Sequence, residues 1–151
     1  GIGDDAAVVA PTRGMVTVVT TDTLVEDIHF RRGWASPRDI GEKAVAVNLS
    51  DLAAMGAAPR AILLSLLMPP TLPIDDFDQL IDGVAAAATR AGASLIGGNL
   101  SRSPGPLVAD VTAMGVVRPR RVLRRSGARP GDRLFVTGAL GAAAAGLAAL
   151  T

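Results

Sequence analysis

Ile74, Phe77, Ile81, Val84 and Ala88 recur at spacings of three and four residues, which is the period of one helix face. This run is the firmest constraint on the fold. Asp75 and Asp76 suit the positive N-terminal end of such a helix, and Gly92 ends it. On either side the chain is β-rich. Residues 60–67 are mostly apolar and bounded by Pro59 and Pro69-Pro70, so they read as a buried strand. Residues 93–96 read as a short strand running straight into a Gly97-Gly98 turn. A second helix is expected over residues 37–55. Ser36 is a good N-cap, Pro37 suits the first helical position, Asp39 completes a capping box, and Gly56 stops the helix.

Two β-rich segments precede that helix, at residues 7–9 and, more strongly, 15–21, with Pro11 and Gly14 between them. Residues 107–117 make a further strand. The order β-α-β-α-β-β predicts an α+β layer architecture, one mixed sheet with helices on one face. Residues 118–132 are basic and rich in Pro and Gly, and read as a linker. Residues 133–137 look like a new strand, followed by Gly138 and an Ala-rich helix. The expected division is therefore a first domain over 1–125, then a linker and the truncated start of a second α/β domain over 126–151. The chain begins at Gly1 and stops inside the Ala-rich run, so it reads as a piece of a longer protein.

Composition excludes several classes of function. There is no cysteine, hence no disulfide and no thiolate metal site, which fits a reducing, cytoplasmic setting. The formal charge of +1 gives no pull toward nucleic acid or acidic membranes. Three Phe, one Trp and no Tyr offer little for bases to stack on. The longest apolar run, 61–68, is too short to span a bilayer, and nothing at the start reads as a signal peptide.

Three acidic segments could carry chemistry: Gly1-Ile2-Gly3-Asp4-Asp5, Thr20-Thr21-Asp22-Thr23, and Asp51 within Asn48-Leu49-Ser50-Asp51. Each also reads as an ordinary turn, strand exit or helix end. Asp51 falls at helical spacing from Ile40, Ala44 and Val47, where a charge is costly unless it is paired or holds a cation. Carboxylates and hydroxyls together are the hard oxygen donors that Mg²⁺ prefers. Gly97-Gly98-Asn99 could let a backbone approach a phosphate, or could be a plain strand exit. Arg118, Arg120, Arg121, Arg124 and Arg125 form a basic run that is either a solvated surface or a phosphate clamp. His29 is the lone histidine, and Lys43 reads as a surface residue.

These motifs, with Thr21-Asp22-Thr23-Leu24-Val25-Glu26, His29-Phe30 and Arg125-Ser126-Gly127-Ala128, resemble the thiamine-monophosphate kinase family in order and spacing over nearly the whole chain. That family lies in the aminoimidazole ribonucleotide synthetase-like superfamily. The resemblance implies two α/β domains, dimerisation through the first with its sheets packed into a barrel, and ATP- and Mg²⁺-dependent phosphorylation of thiamine monophosphate. It implies that Asp5, Thr20, Thr21, Asp22, Asp51 and Asn99 bind magnesium, with Asp22 and Asp51 catalytic. It further implies that Gly98, Asn99 and Arg125 contact ATP and that His29 touches thiamine monophosphate. Neither nucleic acid nor membrane is implied as a partner. One departure stands out: the family commonly has Gly-Gly-Asp-Thr where this chain has Gly97-Gly98-Asn99-Leu100. Another ATP-using enzyme of the superfamily, or a non-catalytic nucleotide-binding or dimerisation module, remains open on these residues alone.

Overall fold

The structure is a computed structural model that describes residues 5–150. The Gly1-Ile2-Gly3-Asp4 part of the first acidic segment lies outside them. Four strands and two long helices make one α/β layer pair: β1 (Val16–Val25), α1 (Pro37–Ala54), β2 (Ala58–Met68), α2 (Ile74–Arg90), β3 (Ser94–Arg102) and β4 (Val108–Val117). The strand order is β1-β4-β2-β3. β2 and β3 run parallel, whereas β4 is antiparallel to both β1 and β2. The mixed sheet is thus as expected, with β1 and β3 at its two edges. Short 3-10 turns at Pro119–Arg121 and Arg125–Gly127 lead to α3 (Ala142–Leu150).

Side-chain alternation puts Leu24, Ile62, Leu64, Leu66, Ala109, Val111 and Ala113 on the face covered by the helices, where they are buried. α2 contributes Leu80, Val84, Ala87 and Ala88 to the same core. The two helices approach closely through glycines. A Cβ on Gly41 would lie 2.1 Å from the Leu80 carbonyl oxygen, and one on Gly83 2.1 Å from that of Arg38. At the start of α1 the expected capping box is present: Ser36 Oγ accepts from Asp39 N at 3.1 Å, and the Asp39 carboxylate accepts from Ser36 N at 3.4 Å. The opposite face of the sheet carries no helix. It presents Val19, Leu67, Met114 and Val116, all partly or largely exposed.

Three sequence expectations change. Residues 7–9 and 133–137 form no strand. Val8, Leu134 and Phe135 are exposed, and a strand forms only where a neighbour takes up its N–H and C=O groups, which neither segment has among the described residues. Gly97-Gly98 is not a turn: β3 runs through it to Arg102. A bulge between Ile62 and Leu63 absorbs the irregularity, because Ile62 pairs with Leu95 and Leu63 with Gly97. Asp51 is exposed, and the buried stripe of α1 is Ile40, Gly41, Ala44, Val45, Asn48 and Leu52. At about 100° per residue, that stripe centres near Ala44 and Asn48, which leaves Asp51 on its rim. The buried polar residue on the stripe is Asn48, whose Nδ2 donates to Ala44 O at 3.1 Å. Among the described residues no helix is long and apolar enough to cross a membrane.

Candidate functional site

The last turn of α1 and the middle of β1 bring two of the acidic segments together. Thr20 and Asp22 share the helix side of the sheet with Val18 and Leu24. Asp51 reaches that side from the rim of α1, and Thr20 Oγ1 donates to Asp51 Oδ2 at 2.7 Å. Asp22 stands two residues further along the same strand face, about 7 Å on. No ion pair joins Asp22 or Asp51 to a basic side chain among the described residues. Their charges are open to a cation. Asp5 is exposed and does not complete a cluster with them: no group of three or more Asp, Glu or His side chains converges among the described residues.

Two other metal candidates lie elsewhere. Thr21 points to the bare face of the sheet, because adjacent strand residues alternate. There its hydroxyl donates to Asp110 Oδ1 at 3.2 Å, Thr23 donates to Asp110 Oδ2, and Thr112 donates to Thr21 at 3.3 Å. Asp110 was not singled out from the sequence, and only the strand register reveals it, by pairing it with Thr23. Asn99 is on that same bare face, in the row Thr23–Asp110–Ser65–Asn99 that crosses all four strands. Its Nδ2 donates to Ser101 Oγ at 2.9 Å. A single chain therefore does not bring Thr21 or Asn99 to Asp22 and Asp51. Gly98 sits in the row of Asp22, Val111 and Leu64, at the far edge of the sheet. Arg125 is exposed in the second 3-10 turn.

The loop after β1 shapes the surroundings of His29. Asp27 adopts φ 66°, and its N–H donates to Phe30 O at 2.8 Å. His29 Nδ1 accepts from Val25 N at 3.0 Å, which leaves the proton of the neutral ring on Nε2, facing out. Lys43, exposed as the sequence suggests, also donates to His29 O at 2.5 Å. A cavity of about 720 Å³ opens here, lined by His29, Phe30, Trp34, Lys43 and Leu147 among others. Arg31 stacks its guanidinium 4.3 Å over the Trp34 ring.

Glu26 anchors this loop. Its carboxylate accepts from Arg32 Nε at 2.5 Å and from Leu107 N at 3.1 Å. Burial alone would raise its pKa. The Arg32 hydrogen bond and charge, together with the Leu107 N–H, outweigh burial and hold it below the ordinary range. A depressed carboxylate stabilises the fold above its unfolded-state pKa of about 4.3 and loses that contribution as pH falls through the lower folded value. Glu26→Gln is expected to lower stability near neutral pH by about 1–2 kcal/mol and to flatten the acid limb of a thermal-midpoint titration. An acid limb as steep as that of the parent chain would contradict the anchor.

Residues 3–117 match the family of AIR synthase related proteins, N-terminal domain. The chain belongs to that family. Over 150 residues it is 42% identical to thiamine-monophosphate kinase of Bacillus subtilis (strain 168), a match covering 99% of this chain and 46% of that protein. The crystal structure of thiamine-monophosphate kinase from Stenotrophomonas maltophilia K279a is similar at a TM-score of 0.74 and 46% identity, over 83% of this chain and 38% of that one. The structure of AaThiL complexed with AMPPCP and TMP is similar at a TM-score of 0.67 and 31% identity, over 72% and 35% of the two chains. This member of the AIR synthase related family thus spans less than half the length of the curated relatives it matches.

Proposed function

We propose that the chain is part of a cytoplasmic enzyme that transfers the γ-phosphoryl group of ATP to thiamine monophosphate, giving thiamine diphosphate. Residues 1–125 would be its magnesium- and ATP-binding domain, and 126–151 the linker and start of a second domain. The observation that carries this reading is the Thr20–Asp51 contact, with Asp22 on the same strand face and no basic side chain paired to either carboxylate. Carboxylates with no basic partner, Asp51 exposed and Asp22 half-buried, beside a hydroxyl are a donor set that fits Mg²⁺. Asp51, Asp22 and Thr20 would hold the ion, with Asp5 and Thr21 joining only if the chain rearranges. Bound magnesium neutralises phosphate charge.

The acceptor explains why so few titratable groups are needed. A phosphate monoester has a second pKa of about 6 and is already mostly a dianion at neutral pH, so no general base is required. The residues' task is to hold two anions close and in line. Gly98 and Arg125 would contact ATP, and His29, its Nε2–H turned outward, would donate to thiamine monophosphate. The bare face of the sheet and its two open edges support a homodimer through this domain.

The direct test is turnover by the full-length protein, measured as thiamine diphosphate formed from thiamine monophosphate and ATP with and without magnesium. Asn99→Asp, which restores a charge at the far edge of the sheet, is expected to lower the magnesium concentration for half-maximal rate several-fold. No turnover in the parent would end the reading, and an unchanged magnesium requirement in the variant would remove Asn99 from the site.

A further inference from the structure

Asn48 is wholly buried in the packed stripe of α1, yet only half of its amide is satisfied. Nδ2 donates to Ala44 O at 3.1 Å, but Oδ1 has no donor among the described residues. Exchanging the two atoms is no remedy, since it would set the oxygen against the Ala44 carbonyl, acceptor to acceptor. A buried acceptor without a donor is destabilising, and an apolar side chain at the same point avoids that loss. The packing places this oxygen beside the acidic site. α1 runs back along β1, as the Lys43–His29 and Asp51–Thr20 contacts show. A Cβ on Gly115 would lie 3.2 Å from Leu52 Cδ1, so Leu52 stands over the row of Gly115 and Val18. Asn48, one turn earlier, lies about 6 Å back along the helix. That brings it to the next row on the helix side, Thr20 and Ala113, about 7 Å further along the strand. Its amide leans toward Ala44, and so toward the row of Asp22 and Val111.

We infer that Asn48 is a positioning residue of the cation site: Oδ1 accepts a hydrogen bond from a water carried by the magnesium ion that Asp22 and Asp51 hold. This rests on the magnesium role proposed above. The neighbouring polar groups cannot satisfy the oxygen themselves. The Thr20 hydroxyl is spent on Asp51, and ionised carboxylates only accept. Mg²⁺ keeps several of its waters when carboxylates bind it, and a water on the ion's inner side turns its protons into the protein. Asn48 supplies the acceptor there. Asp51 is exposed at the rim and Asn48 is wholly buried, so a water and not the amide itself meets the ion. With Nδ2 fixed on Ala44 O, the oxygen is held in one direction before the ion arrives. Partners of this kind orient what a metal carries, and their loss typically weakens binding about 10- to 100-fold.

The test uses Asn48→Leu in the full-length protein, because leucine keeps the branched shape of asparagine and removes both polar atoms. The thermal midpoint is followed against magnesium concentration, with the metal alone. The half-saturating concentration is expected to rise about 10- to 100-fold. The rate of thiamine diphosphate formation is expected to recover to within a few-fold of the parent's once magnesium is saturating. Should the leucine variant fail to fold, Asn48→Ala removes the oxygen without adding bulk and is expected to show the same rise. Val45→Ala is the control for packing. Val45 is also wholly buried on the stripe but has no polar atom to offer, so its loss should lower the midpoint and leave the magnesium requirement unchanged. If the folded Asn48 variant binds magnesium within two-fold of the parent, Oδ1 serves only an isolated buried water and the inference falls. It falls equally if Val45→Ala shifts the magnesium requirement as far as Asn48→Leu does. A parent that does not respond to magnesium ends the metal reading itself, and the inference with it.

Discussion

On the proposed function, Asp51→Ala in the full-length protein is expected to lower the rate of thiamine diphosphate formation by about 10²–10³ or more, the usual cost of removing a preorganised charge that acts on the transferred group. The carboxylate is exposed and accepts from Thr20 Oγ1 at 2.7 Å, so its loss leaves no buried cavity. Stability should move by less than about 1 kcal/mol. Asp51→Asn separates charge from shape. The amide still accepts from Thr20 but offers a cation no charge, so it should be nearly as damaging as alanine. Rates are measured across magnesium concentrations, with thermal midpoints alongside. Activity of either variant within a few-fold of the parent removes Asp51 from the chemistry.

Gly98→Ala prevents β2 and β3 from pairing as they do. A Cβ at Gly98 would lie 1.7 Å from Leu64 O, 2.6 Å from Leu64 C and 2.8 Å from Leu64 N. These are backbone atoms of the neighbouring strand, so no rotamer change relieves the clash. The φ of 151° is also one that L side chains rarely adopt. The expected loss exceeds about 3 kcal/mol, enough to consume much of a domain's stability. Gly92→Ala is the control. Its φ is 71° but nothing lies within 4 Å of its Cβ, so it should cost only about 1 kcal/mol. Denaturant midpoints of the two variants decide it: equal shifts would mean that contact with Leu64 does not govern position 98.

Much of the fold is legible because it is local. The three-four spacing of Ile74, Phe77, Ile81 and Val84 fixes α2, and the Ser36–Asp39 box fixes the start of α1. What failed was non-local. Residues 133–137 have the composition of a strand, but a strand needs a neighbour, and composition does not supply one. Gly97-Gly98 carries a turn signal, yet pairing with Leu63 and Leu64 draws it into β3. Ile40, Ala44 and Val47 suggest a packed side of α1 that includes Asp51, but the packed side is rotated toward Asn48, and only contact with the sheet and α2 sets that rotation.

The site divides along the same line. Residue types alone pointed to oxygen donors for a hard cation, because a chain with no cysteine and one histidine has little else to offer. Which donors meet depended on two things no single segment contains: the register that sends Thr20 to the helix side and Thr21 to the bare side, and the strand order that sets Asn99 at the edge opposite Asp22. Local chemistry and helix periodicity are written along the chain, residue by residue. The meeting of distant segments is settled by packing and hydrogen-bonded pairing, which exist only once the sheet has formed.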